Sequence, residues 1–180
     1  MTIKRIITAE NPDLRRVAKP VDLDTLATEN FRQFAQDMRD SLADSGGIGL
    51  VAPQIAEPLR VVLFDVRDTD ARIEEDAEPL LDTLCINPEV SVFDATTQGH
   101  WEGCLSVPGF VGYVERPQGL LLSYFDEDGQ PQQRKLSGFL ATVGQHELDH
   151  LDGILYIDRI FDRNLLISQE QLEADTESVT

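Results

Sequence analysis

The hexapeptide Gln145-His146-Glu147-Leu148-Asp149-His150 constrains this chain more than any other segment. Four residues span about one helical turn, so His146 and His150 project from one helix face and can grip a single metal ion, with Glu147 within reach of a water there. Val143, Leu148 and Leu151 flank the pair and predict a buried helix, where an imidazole without a partner is costly. The bland alternative is a solvent-facing helix that happens to carry histidines. The chain has three histidines in all, and two of them stand here, so a metal-assisted hydrolase is the first hypothesis.

A chain of 180 residues can bury a core without staples, and no internal repeat or linker-like tract divides it. One domain is expected over residues 1–163, followed by an acidic tail over 164–180 that forms a short helix around Leu165 to Leu172 and is otherwise disordered. Met1 to Ile7 runs at once into Glu10 and Asp13. It therefore lacks the apolar core of a secretory signal and the acid-free character of a transit peptide, and the cytoplasm is the expected compartment. A disulfide between Cys85 and Cys104 is not expected there, which leaves each thiol as a core residue, a ligand or a nucleophile. The formal charge of −18, with no basic cluster to override it, excludes a nucleic-acid partner. No apolar run is long enough to span a membrane.

Phe31, Phe34, Ala35, Met38 and Leu42 recur at helical spacing and predict a helix from about 25 to 44, stopped by Gly46-Gly47. Leu59 to Val66 reads as a buried strand, and the acidic stretch Arg67 to Pro79 as a solvated loop. Further strands are expected over 84–93, 96–102, 110–115, 119–125 and 132–136, with Asp126-Glu127-Asp128-Gly129 as a hairpin turn. Ser137 is placed to cap the ligand-bearing helix, and Gly153 to end it.

Two histidines leave a catalytic site one protein ligand short. The extended protease pattern puts Tyr156 where its third histidine would stand, and a tyrosine cannot replace a neutral imidazole. Glu170 is a formal candidate in a weakly patterned tail. Cys104, in Glu102-Gly103-Cys104-Leu105-Ser106, is a better donor, with Gly103 allowing close backbone approach. A third segment, Gly47-Ile48-Gly49-Leu50-Val51-Ala52-Pro53-Gln54, lets backbone close on a ligand and ends in an amide donor.

In this order and spacing the three segments resemble the peptide deformylase family, whose signatures are Gly-x-Gly-x-Ala-Ala-Pro-Gln, Glu-Gly-Cys-x-Ser and Gln-His-Glu-x-Asp-His; the likeness extends over about residues 3 to 161. It implies an α+β fold with antiparallel strands around a central metal-binding helix and an N-terminal helix. By the same match, Cys104, His146 and His150 are the metal ligands, Glu147 the general base, and the Gln54 side chain and Leu105 N–H the oxyanion donors. One divalent ion is implied, Fe²⁺ in the cell with Zn²⁺ or Ni²⁺ as alternatives. The implied substrate is an N-formyl-Met peptide of a newly made protein, with formate released. The acidic C-terminus contrasts with the basic ribosome-docking helix of some relatives, so contact with a translating ribosome is expected to be transient at most.

On the helix, Phe139, Thr142 and Val143 share the face of His146 and can line a pocket with Ile48 opposite, while Gly49, Glu102 and Gly103 complete the expected substrate-binding set. Two departures stand out. Val51 replaces the usual first Ala and is expected to narrow the site, and Gly109-Phe110-Val111-Gly112 lacks an Arg that many members carry. Ser106 to Phe110 and Tyr156 to Arg159 are similar to the mitochondrial-type subgroup. The competing readings are a formyl-peptide-binding homologue with weak catalysis and a His-Glu-x-x-His metalloprotease.

Overall fold

Two apolar clusters, one on each face of a single antiparallel sheet, organise the molecule. The computed structural model describes residues 2–67, 69–74 and 77–177. Strand β1 (Gly49–Val51) lies at one edge, followed across the sheet by β2 (Val61–Val66), β3 (Leu80–Cys104), β4 (Val107–Phe125) and β5 (Pro131–Ser137). β2 shows why its sequence is apolar throughout: Val62, Phe64 and Val66 join one cluster, and Val61 and Leu63 join the other. Side chains alternate across a strand, so a strand covered on both faces must be apolar at every position.

Helix α1 (Glu29–Ser45) covers one face, burying Phe31, Ala35, Met38 and Leu42. The Thr28 hydroxyl accepts the Phe31 N–H at 3.3 Å, and Gly46 takes the left-handed φ of 67° that ends the helix. The start expected near residue 25 moves to Glu29, because Leu23–Thr25 forms a separate 3-10 turn opened by Asp22. Helix α2 (Gly138–Leu151) covers the other face and is buried at every position except Gln145. Ser137 stands at its N-cap position, but the hydroxyl donates to Glu74 Oε2 at 3.1 Å instead of capping. At the other end Gly153 adopts φ 75°, and a Cβ there would lie 2.6 Å from the Arg15 carbonyl oxygen, so both backbone and space require glycine.

The strands expected over 84–93 and 96–102 are one strand, β3, and those over 110–115 and 119–125 are one strand, β4. Their sequence breaks at Asp94–Thr96 and Pro117 are register shifts within a continuous ladder, with Pro117 opposite Thr97 at the shift. A proline lacking an N–H is tolerated at such a bulge. The expected hairpin turn joins β4 to β5, with Gly129 at φ 73° and the Asp126 carboxylate accepting the Asp128 and Gln130 N–H groups. The stretch 67–79 is less detached than expected, since Ile73 and Ala77 pack on the α2-side cluster.

The C-terminal segment differs most from expectation. Leu166–Ser168 forms β6, which pairs with Phe110–Gly112 of β4 and so joins the main sheet, and α3 begins only at Gln169 and runs to Glu177. An unpaired β4 edge supplies backbone partners that outweigh a weak local helix preference. The expected disorder over 173–177 is thus replaced by helix, and residues 178–180 lie outside the described residues. Among the described residues, no helix is long and apolar enough to cross a membrane.

Candidate metal centre and active site

Three elements meet at one point: the ligand helix α2, the turn that ends β3, and the 3-10 turn Ala52–Ile55 after β1. His146 and His150 sit one turn apart with ring centroids separated by 5.3 Å. β3 delivers Cys104 to them just before the chain reverses into β4, and Cys104 Sγ lies 3.2 Å from His150 Nε2. One ligand atom from each of Cys104, His146 and His150 lies within 4.8 Å of the others, a separation that tetrahedral coordination by sulfur and imidazole nitrogen can satisfy. Tyr156 stacks on His146 and donates its hydroxyl proton to the Phe110 carbonyl at 3.0 Å, so it forms a wall of the centre. Glu170 is exposed on α3 and takes no part.

The two imidazoles shift in opposite directions: burial opposes a charge on His146, but its bonds to Cys104 and Glu102 outweigh burial and raise the ring well above its ordinary value. Burial pushes His150 down to about 3, with the nearby charge of His146 adding to it, so the ring is neutral as a ligand must be. Glu147 is buried, and burial raises its carboxyl to about 7. Its Oε2 has no hydrogen-bond partner among the described residues. β1 passes so close that a Cβ at Gly49 would lie 2.3 Å from Glu147 Oε1, which makes Gly49 the residue that admits the carboxylate.

Gln54 is held by its own oxygen. Oε1 accepts the Val51 N–H at 2.9 Å, which aims Nε2 at Ser106 Oγ, 3.2 Å away, and at Cys104 Sγ, 3.8 Å away. Val51 therefore serves through its backbone. Its side chain is buried in the α2-side cluster and does not line the cavity, so the expected narrowing is absent. Nor does Gly103 serve a close approach: a Cβ there would make only an ordinary 3.7 Å contact with Val111.

Glu102 differs from its expected substrate-binding role, because its carboxylate is already engaged. Oε2 lies 2.8 Å from His146 Nδ1, and Arg116 donates to both oxygens, at 2.6 and 3.0 Å. Arg116 also donates to Asp149 at 2.9 Å, and Arg159 grips Asp149 with two bonds. Burial opposes the Glu102 charge, but His146 and Arg116 outweigh it and hold the carboxyl below its ordinary range. The relay fixes the His146 ring and leaves its Nε2 for a metal. Arg116 and Arg159 escaped sequence reasoning. The one signal was Asp149, an acid at a fixed place in the His146–His150 segment with no role assigned to it.

A cavity of about 600 Å³ opens over the cluster and reaches every expected pocket residue: Ile48, Gly49, Gly103, Phe139, Thr142 and Val143 all line it, as do Gln54, Glu102, Leu105 and Glu147. Arg72, His100, Trp101 and Gln169 line it as well.

Fold and side chains together are those of the His-Glu-x-x-His class of metal-site proteins, in an α+β setting with a cysteine as third ligand candidate. A profile described as polypeptide deformylase matches residues 3–165, and the chain belongs to that family. It is 39% identical to the peptide deformylase of Brucella suis biovar 1 over 160 residues, covering 89% of this chain and 86% of the relative. With peptide deformylase 1 of Prochlorococcus marinus it shares 41% over 162 residues, 90% of this chain and 83% of the relative. The solved structure of the Thermotoga maritima peptide deformylase superposes with a TM-score of 0.77 at 33% identity, covering 90% of this chain and all of that one. The Met-Ala-Ser-bound class I type b enzyme of Acinetobacter baumannii superposes at 0.80 with 31% identity, covering 88% of this chain and 98% of that one.

Proposed function

We propose that this chain is a metal-dependent hydrolase that removes the formyl group from N-formyl-methionyl peptides, releasing formate and a free amino terminus. The observation that carries the reading is the buried Glu147 carboxylate, with one oxygen unpartnered, beside the Cys104, His146 and His150 ligand atoms. Sulfur and two imidazoles suit a divalent transition ion, with Fe²⁺ the cellular occupant and Zn²⁺ or Ni²⁺ able to replace it. When bound, the ion supplies Lewis acidity to the formyl oxygen and acidifies water.

The residues then divide the work. Glu147 takes the proton from the attacking water and passes it to the departing amine, a task suited to a carboxyl raised to about 7. As the formyl carbon becomes tetrahedral, the Gln54 amide and the Leu105 N–H donate to the oxygen that gains charge; Gln54 is preset by its bond to the Val51 N–H. Phe139, Thr142 and Val143, facing Ile48, form a slot for the methionine side chain. β1 lies at the edge of the sheet beside this cavity, and its edge backbone groups other than the Val51 N–H, which Gln54 already holds, can pair with an extended peptide of almost any sequence. The peptide is thus the main partner, met in the cytoplasm.

The test is formate release from formyl-Met-Ala-Ser by protein purified anaerobically with Fe²⁺, run beside Glu147→Ala. Release that is lost in the variant, with metal content unchanged, supports the assignment. Tight peptide binding without release would favour a binding protein, and cleavage of internal peptide bonds a protease. Reconstitution with Fe²⁺, Ni²⁺ and Zn²⁺ tests the ion, and equal rates for all three would remove the iron preference.

A further inference from the structure

One residue of the slot wall carries a nitrogen that the proposed reaction does not use. His100 lines the same cavity as Phe139, Thr142 and Val143. Its ring stands edge-on to Phe139, with centroids 6.4 Å apart and planes at 63°. The Nε2 atom is buried and has no hydrogen-bond partner among the described residues.

Strand and helix geometry account for its position. Residues two apart on a strand face the same side, so His100 and Glu102 both point from β3 toward α2. Glu102 meets His146, while His100 meets Phe139, seven residues nearer the helix N-terminus. Seven helical residues rise ~10 Å, which puts His100 at the end of the slot away from the ligand cluster. The Arg72 guanidinium covers Phe139, 4.2 Å from the ring centroid, and is held there by two bonds from its Nε and one terminal nitrogen to Asp70. Thr142, the other polar side chain of the slot, is also occupied, its hydroxyl donating to the Gly138 carbonyl at 3.4 Å. His100 Nε2 is thus a buried nitrogen without a partner among the described residues, carried by a residue of the slot wall.

We propose that His100 is a specificity-determining residue that reads the methionine sulfur. In the tautomer with its proton on Nε2, the ring donates to the weakly accepting thioether. The slot then separates methionine from a hydrocarbon chain of equal length, and it accommodates methionine sulfoxide, whose oxygen is a stronger acceptor. This rests on the deformylase reading and adds what its side-chain slot recognises.

The experiment compares kcat/KM of the Fe²⁺ enzyme on formyl-Met-Ala-Ser, formyl-norleucyl-Ala-Ser and the formyl-methionine-sulfoxide tripeptide, for wild type, His100→Leu and His100→Gln. Dissociation constants of the unformylated tripeptides are read in parallel from Trp101, the one tryptophan in the chain, which lines the cavity. Wild type is expected to favour methionine over norleucine by about 5-fold, the scale of one neutral hydrogen bond. The ratio should fall to near one in His100→Leu, remain in His100→Gln, and be matched by a selective loss of the sulfoxide substrate in His100→Leu. The same methionine-to-norleucine ratio in all three proteins would overturn the proposal. If wild type turns over no formyl peptide, the deformylase reading fails by itself, and the binding ratios still decide whether His100 reads sulfur.

Discussion

Glu102 Oε2 lies 2.8 Å from His146 Nδ1, and the same carboxylate is clasped by both a terminal nitrogen and the Nε of Arg116. Glu102 therefore links the ligand helix to the strand opposite it. Replacing it by Ala frees the His146 ring and leaves the Arg116 guanidinium, 4% exposed, without its bidentate partner. Metal affinity should fall by about 10–100-fold, as for other carboxylates that orient a ligating imidazole. Stability should drop by about 3–5 kcal/mol, the usual result of removing one partner of a buried ion pair. Chelator competition and thermal melting of Glu102→Ala measure the two effects. Unchanged metal affinity would show that the carboxylate does not orient His146.

Gly49 offers a test of the base that leaves the base intact. A Cβ added there would lie 2.3 Å from Glu147 Oε1, so Gly49→Ala must push the whole carboxylate aside while the three ligands stay in place. A displacement of about 1 Å typically costs ~10²-fold in turnover. The expected result is a kcat lowered on that scale, with metal content retained and only a small change in melting temperature. A variant with normal kcat would place the proton transfer elsewhere.

The ligand segment was legible because its geometry is local: His146 and His150 lie on one face whatever the rest of the chain does. Cys104 and Gln54 were legible as a candidate ligand and an amide donor from their own segments, but only the resemblance brought them together, since nothing between residues 54 and 104 shows that the two segments meet. Arg116 gave no signal of its own beyond the unassigned acid Asp149. Its partners Glu102 and Asp149 come from another strand and from a helix, and only the β3–β4 register brings them together. β6 was hidden for a similar reason, because three residues carry little periodicity and their pairing depends on a free edge of β4. His100, read as neither ligand nor pocket, gained meaning only once β3 was seen to run past Trp101 and Glu102 as one strand.

Gln54 separates oxyanion stabilisation from binding. Gln54→Leu keeps the side chain's bulk and removes the donor, along with the Oε1 acceptor that now meets the Val51 N–H. A donor that acts as charge develops is worth about 10²–10³-fold in kcat, with KM little altered. Steady-state kinetics on formyl-Met-Ala-Ser give both constants. A rise in KM with kcat preserved would make Gln54 a binding residue instead.

Stripping the metal exposes the cost of burying Glu147. With its carboxyl raised from 4.5 to about 7, the folded protein holds a proton that the unfolded chain releases earlier. The folded state thus binds more protons than the unfolded one across that interval, and stability must fall as pH rises through it. A shift of this size corresponds to about 3 kcal/mol, fully expressed above pH 7 and absent below about 4. His150, held down near 3, contributes the opposite slope between there and 6.5. His146, raised well above 6.5, adds a loss at higher pH in the same direction as Glu147. The metal-free wild-type curve mixes all three, and the difference between wild type and Glu147→Gln isolates the carboxyl. In denaturant titrations of chelator-treated protein, Glu147→Gln should match wild type near pH 4 and exceed it by about 3 kcal/mol at pH 8. Equal stability at pH 8 would mean that the carboxylate is solvated in the metal-free protein, and burial would then no longer account for a base poised near neutrality.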